Sequence, residues 1–140
     1  MTSNIIHPKL TLKKIPHTEE RNPINLSDTF KGKFVINNRI IFDPKIDWIG
    51  SSSSSDFSLL KPSSTRLLVV FCLYPNEILH REFLVDTLWS SHGMIVSDNT
   101  LNKAISHLRS DLLNLRYNGI YIKTINRIGY VFIGNVVFEM

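Results

Sequence analysis

The chain predicts an α+β fold, with short β-rich runs at the front, helical segments in the middle and further β-rich runs at the back. Three observations carry this reading. Residues 97–115, SDNTLNKAISHLRSDLLNL, place Leu101, Ile105, Leu108, Leu112 and Leu115 on one stripe of a helix. Residues 34–36 and 39–42 are β-rich and separated by Asn37-Asn38, and Asn tolerates the positive φ of a tight hairpin turn. Residues 120–125 and 129–133 are two more such runs, with Asn126, Arg127 and Ile128 in the turn between them.

The remaining elements follow in order. Residues 1–32 carry Pro8, Pro16 and Pro23 among scattered polar residues and show no period, so they read as a flexible N-terminal arm. Asp43-Pro44 ends the second β-rich run, a third is expected around Trp48, and residues 57–60 can close the sheet. The five serines at 51–55 read as a flexible connection between strands. Pro62-Ser63-Ser64 opens a helix, Pro setting the approach and a Ser supplying the cap, with Leu67, Val70 or Phe71, and Tyr74 on one side. Pro75 stops it. Ile78 and Leu79 follow as apolar contacts, and residues 80–89 read as a second helix with Leu84 and Leu88 inward. Residues 90–96, SSHGMIV, form a loop, and Ser97 or Asp98 caps the long helix. The folded domain is expected at 33–135, with 136–140 as a C-terminal tail.

Composition narrows the function. The 140 residues carry a net charge of +4 and 43% hydrophobic residues, enough for one core. The basic balance favours an acidic partner. Basic and acidic groups divide equally between residues 1–60 and 61–140, so any basic footprint must arise by folding. The single Cys72 suits a reducing cytoplasm and excludes an internal disulfide. The longest apolar run, 67–74, is far short of the roughly 20 residues of a membrane span. The N-terminus lacks the apolar core and cleavage site of a signal peptide. Five histidines without ligand spacing support no metal site, no Gly-rich phosphate loop is present, and no catalytic constellation stands out, so no cofactor and no enzyme are expected.

The face of the long helix opposite its leucines reads Asn99, Asn102, Lys103, Ser106 and Ser110, flanked by His107 and Arg109. Amides, hydroxyls and cations suit an anionic partner rich in donors and acceptors, and a DNA major groove is one. A merely solvated face is the plain alternative. Asn102 can pair with adenine in a bidentate way, His107 can donate to guanine or phosphate, and Arg127 at a hairpin tip can reach the negative potential of a narrow A·T-rich minor groove. Helix, helix, long polar-faced helix and basic-tipped hairpin is the order of a winged helix-turn-helix: N-terminal antiparallel sheet, three-helix core, C-terminal hairpin wing.

A family carries these features together. Phe42-Asp43-Pro44, Pro75-Asn76-Glu77-Ile78-Leu79, Arg81-Glu82 with Leu84 and Leu88-Trp89, Val96 through Leu101 with Ala104 through Arg109, and Ile122 through Ile125 with Gly129-Tyr130 stand in the order and spacing of one topology. Over residues 34–133 the chain resembles the OmpR/PhoB-type winged-helix DNA-binding domain, and most closely its ToxR/CadC-like branch. The resemblance implies bacterial transcription control on promoter DNA, often through paired or tandem copies. It places base reading on Asn102, Ser106 and His107, phosphate positioning on Asn99, Thr100, Lys103 and Arg109, and the minor-groove contact on Asn126 or Arg127. It matches residues 90–96 to a segment that contacts RNA polymerase in some members. ToxR/CadC-like members commonly continue into a membrane helix, so the chain is expected to be either the cytoplasmic piece of a longer protein or a stand-alone regulator.

The chain departs from that pattern at three places. Ser106-His107 stands where a basic pair is common, Asn126 and Ile128 where the wing is commonly Arg or Pro and basic, and His80 where Ser or Thr caps helix 2. Modest affinity is expected, with reliance on dimers or a partner regulator. An interaction module that modulates another regulator without touching DNA is the alternative. Salt-dependent DNA affinity separates the two.

Overall fold

The structure, a computed structural model, describes residues 31–117, 119 and 121–140. The arm expected at 1–32 lies outside the described residues except for Lys31 and Gly32. Strands β1 (Lys33–Ile36), β2 (Ile40–Asp43), β3 (Trp48–Ser51) and β4 (Phe57–Leu59) form an antiparallel sheet. Asn37 and Asn38 both take positive φ, 54° and 58°, and close the β1–β2 turn as their residue type allows. Asp43 caps a short 3-10 turn, Pro44–Ile46: its carboxylate accepts from the Lys45 backbone N–H at 3.1 Å and pairs with Lys45 Nζ at 3.0 Å.

A fifth strand completes this sheet. β8 (Val136–Glu139) pairs antiparallel with β1, Lys33 facing Glu139 and Ile36 facing Val136. The residues expected to trail off as a tail are therefore part of the domain. Pairing makes them a strand: β1 offers a second hydrogen-bonding edge, Phe138 packs against Phe34 with ring centroids 4.9 Å apart, and Val136 is buried. Asn37 fastens the approach. Its Oδ1 accepts from the Asn135 N–H at 2.8 Å and its own N–H donates to the Asn135 carbonyl at 2.7 Å.

Helix α1 (Pro62–Leu73) begins with Pro at its first position and has no side-chain cap. Lys61 is the N-cap residue, so Ser63 and Ser64 fall inside the first turn rather than before it. Every residue from Leu67 to Tyr74 is buried, which corrects the one-sided face read from spacing. A helix apolar all round is a central helix, and α1 packs against the second and third helices, α2 (Arg81–Leu88) and α3 (Asp98–Leu113). Ser64 Oγ is buried there with no hydrogen-bond partner among the described residues.

A second sheet has the order β5-β7-β6, from β5 (Ile78–His80), β6 (Tyr121–Ile125) and β7 (Gly129–Ile133). The expected hairpin wing is β6–β7, and β5 adds a third strand to its sheet on the other side of β7. Ile78 and Leu79 are not loose apolar contacts but a strand, and α2 starts at Arg81 with extended His80 as its N-cap residue. Gly129 explains the close pairing: a β-carbon there would land on the Leu79 carbonyl and against His80 Cα.

In α3 the predicted stripe is the buried one: Leu101, Ile105, Leu108 and Leu112, with Leu115 just beyond the helix, are all core. Ser97 is the N-cap residue, but its side chain makes no capping bond. One core joins both sheets to the three helices, with Phe34 stacked on Phe42 and Phe71 on Phe132. The architecture is a winged helix-turn-helix.

Candidate nucleic-acid interface

Burying one stripe of α3 dictates what the opposite side exposes. Asn99, Asn102, Lys103, Ser106, His107 and Ser110 are all exposed, and Thr100 is half-buried in the first turn. No acid interrupts the sequence from Asn99 to Ser110. Among the described residues, Lys103 and Ser106 have no side-chain hydrogen bond or ion pair. Asp111, one turn beyond His107, is the first acid after that stretch. Burial raises its carboxyl above the usual range, while His107 and Lys61 pull it the other way.

The wing tip is built by the β6–β7 turn. Ile128 N–H donates to the Ile125 carbonyl at 2.9 Å, so Asn126 and Arg127 are the central residues. Arg127 takes φ 67°, a conformation that favours Gly or Asn. Both side chains are exposed. Arg127 and Ile128 share an open groove of about 780 Å³ with His80, Arg81, Glu82, Val85 and Asp86 of the α2 region, Ser90, and Asp98 at the start of α3. Its lining mixes three acids with two arginines, so it is no single-signed anion pocket.

Arg109 is placed differently from the exposed residues. It is half-buried, and its guanidinium donates to the Ile122 carbonyl (2.7 Å from Nη2, 3.3 Å from Nε) and to Thr124 Oγ1 at 2.8 Å. The residue expected to position phosphate is committed to the wing. β6 is an edge strand, and Arg109 occupies one of the carbonyls its free edge presents.

Tyr130, on the middle strand, completes the join. Its hydroxyl accepts from Arg81 Nη1 at 3.1 Å and donates to Asn102 Oδ1 at 3.3 Å. The guanidinium carbons of Arg81 and Arg109 lie 5.9 and 5.8 Å from its ring centroid. Arg81 also donates to the Asp98 carbonyl at 3.4 Å. Tyr130 is core, at 5% exposure, but its hydroxyl joins three elements. Arg81 was visible only as a motif residue.

The loop before α3 is folded by a 3-10 turn, Ser90–His92, ended by Gly93 at φ 80°. It leaves Met94 half-exposed and Ile95 99% exposed. The Cys72 thiol is fully buried, and burial pushes its pKa well up, so it is a poor nucleophile. Among the described residues no His, Cys, Asp and Glu cluster could hold a metal ion, and no helix is long and apolar enough to cross a membrane.

Comparison with known proteins places this geometry. Residues 57–132 match the family described as transcriptional regulatory protein, C terminal. The cholera toxin transcriptional activator of Vibrio cholerae serotype O1 is 32% identical over 105 residues, covering 74% of this chain and 36% of the relative. The transcriptional activator CadC of Escherichia coli K12 is 31% identical over 91 residues, 60% of this chain and 17% of that protein. The chain thus spans about a third or less of these relatives. The DNA-binding domain of E. coli CadC superimposes with a TM-score of 0.67 at 25% identity, covering 78% of this chain and 98% of that one. The C-terminal domain of the nisin resistance regulator NsrR shares the fold alone, with a TM-score of 0.51 at 23% identity.

Proposed function

The chain belongs to the family of C-terminal DNA-binding domains of transcriptional regulatory proteins, and from that we propose how it binds DNA: α3 reads the major groove of a promoter while the β6–β7 wing lies along the backbone and minor groove. The observation that carries the proposal is the exposed face of α3, polar or cationic and free of acids from Asn99 to Ser110, fixed to a wing that holds Arg127 at its tip. Asn102, Ser106 and His107 face the bases. Asn99, Thr100 and Lys103 position phosphate, and Asn126 and Arg127 meet the minor groove of an A·T-rich site. Arg109 acts through the wing it holds.

The role is regulatory rather than catalytic and is exercised in the cytoplasm. Ile95 and Met94 offer an apolar point on the loop before α3, which supports a contact with RNA polymerase through residues 90–96. Ser106-His107 gives the centre of the helix little fixed charge, which favours binding as a dimer, in tandem or beside a partner regulator.

Fluorescence anisotropy tests this, with the purified chain on an A·T-rich promoter fragment and on a scrambled duplex across a salt series. Binding should favour the promoter, and log K should fall with log salt as phosphate counterions are released. A folded chain that binds neither duplex at low salt overturns the proposal and leaves the protein-interaction role.

A further inference from the structure

We propose that Tyr130 and Arg81 set what Asn102 can read, by fixing its carboxamide with the oxygen inward and the NH2 group toward the DNA. The inference rests on the placement of α3 in the major groove proposed above.

The hydrogen bonds decide the orientation. An arginine has donors only, so at 3.1 Å the Tyr130 hydroxyl must accept from Arg81. The hydroxyl proton is then left to be given away. The acceptor within reach is Asn102 Oδ1 at 3.3 Å. Turning that oxygen outward would strand the proton of a phenol only 5% exposed, and an unpaired buried donor is unfavourable. The ring itself cannot move aside: a guanidinium approaches it from α2 and another from α3, and β7 is the middle strand of its sheet.

Asn102 therefore meets the groove as a donor. The bidentate reading of adenine uses both halves of the amide, the oxygen accepting from N6 and the nitrogen donating to N7. With the oxygen held inward, Asn102 reads only acceptors. Guanine offers N7 and O6, adenine N7 and thymine O4, whereas cytosine presents its N4 amino group, a donor. The expected specificity at this position is rejection of cytosine rather than selection of adenine. Tyr130 and Arg81 are positioning residues that act through Asn102.

Competition binding on duplexes varied one base pair at a time tests this, alongside thermal melts. The wild-type chain should disfavour cytosine about tenfold at one position. Asn102→Ala should abolish that penalty. Tyr130→Phe should shrink it to within about threefold while the preferences at other positions stay, because the freed amide can turn and accept from cytosine. Arg81→Met, which leaves the ring in place and opens the guanidinium's place beside the groove to water, lets the hydroxyl turn its proton there and accept from the amide, and should do the same. A cytosine penalty that survives Tyr130→Phe and Arg81→Met overturns the inference. So does a loss of preference at every position together with a lower melting temperature, which would make Tyr130 purely structural. Wild-type binding that is salt-dependent but shows no cytosine penalty overturns this inference and leaves the DNA-binding proposal standing. No binding to any duplex at low salt overturns both.

Discussion

Arg109 and Ile122 join α3 to the wing: the guanidinium Nη2 lies 2.7 Å from the strand carbonyl, and Nε shares the same oxygen at 3.3 Å. Replacing Arg109 by Met keeps most of the apolar stem and removes the donors. The loss should be about 1–3 kcal/mol, the range for leaving a half-buried polar group unpaired. DNA affinity should fall by a similar factor on every sequence, because the wing is displaced and no base contact is lost. Denaturant melts and anisotropy on two duplexes measure both. An unchanged melt would show that these bonds contribute nothing to the fold.

Arg127 combines a charge with a backbone conformation that disfavours it, φ 67°. The two separate by substitution. Arg127→Gly should keep or raise stability, by up to about 1 kcal/mol, since glycine adopts positive φ freely. Arg127→Ala should not gain that relief. Both should weaken DNA binding on all sequences and lower the salt slope by about one contact. Equal slopes in wild type and variants would remove the wing tip from the DNA.

Gly129→Ala should be severe for its size. The added carbon meets backbone, the Leu79 carbonyl and His80 Cα, so β5 must move away from β7. Overpacking of this kind costs about 1–3 kcal/mol. Amide exchange should show protection lost first along β5. A variant with wild-type protection there would mean that the strands separate without penalty.

Asp111→Asn tests an acid beside the reading face. Burial, partly offset by His107 and Lys61, raises the Asp111 carboxyl above its usual range. The folded chain thus holds that proton more tightly than the unfolded chain. The contribution favours folding at pH values below the ordinary carboxylate pKa of about 3.9 and turns against it as pH rises through the higher folded value. Asn should therefore raise the melting temperature at pH 7 by a small amount, on the order of 2 °C, and the difference should vanish as the pH falls below about 3.9. It should also tighten DNA binding at low salt, since one charge like that of phosphate leaves the helix. A melting difference independent of pH would remove titration as the cause.

Sequence patterns revealed this fold where the cause of structure is local. The α3 leucines recur within one helix, and Asn37-Asn38 carries its own turn preference, so both were legible. β8 was not. Val136, Val137 and Phe138 look like any short apolar ending, and they form a strand because β1, at the other end of the domain, offers them an edge. β5 is three residues long and runs straight into α2, so its extended backbone was hidden beside a stronger helical signal. The exposed face of α3 was legible as the complement of the buried stripe. The join behind it was not, since no spacing announces that Arg81 and Arg109 approach one tyrosine ring.

The pairing of β1 with β8 also sets how the domain answers a pull. Lys33 faces Glu139, so the first strand begins and the last strand finishes at the same end of one ladder. Tension between residues 31 and 140 loads that ladder from its open end and parts its hydrogen bonds one after another, as a zipper opens, instead of shearing them all at once. β8 would peel away at low force while α3 stays seated on its leucines. Under such a load the last strand would act as a mechanical fuse, yielding first and leaving α3 in place.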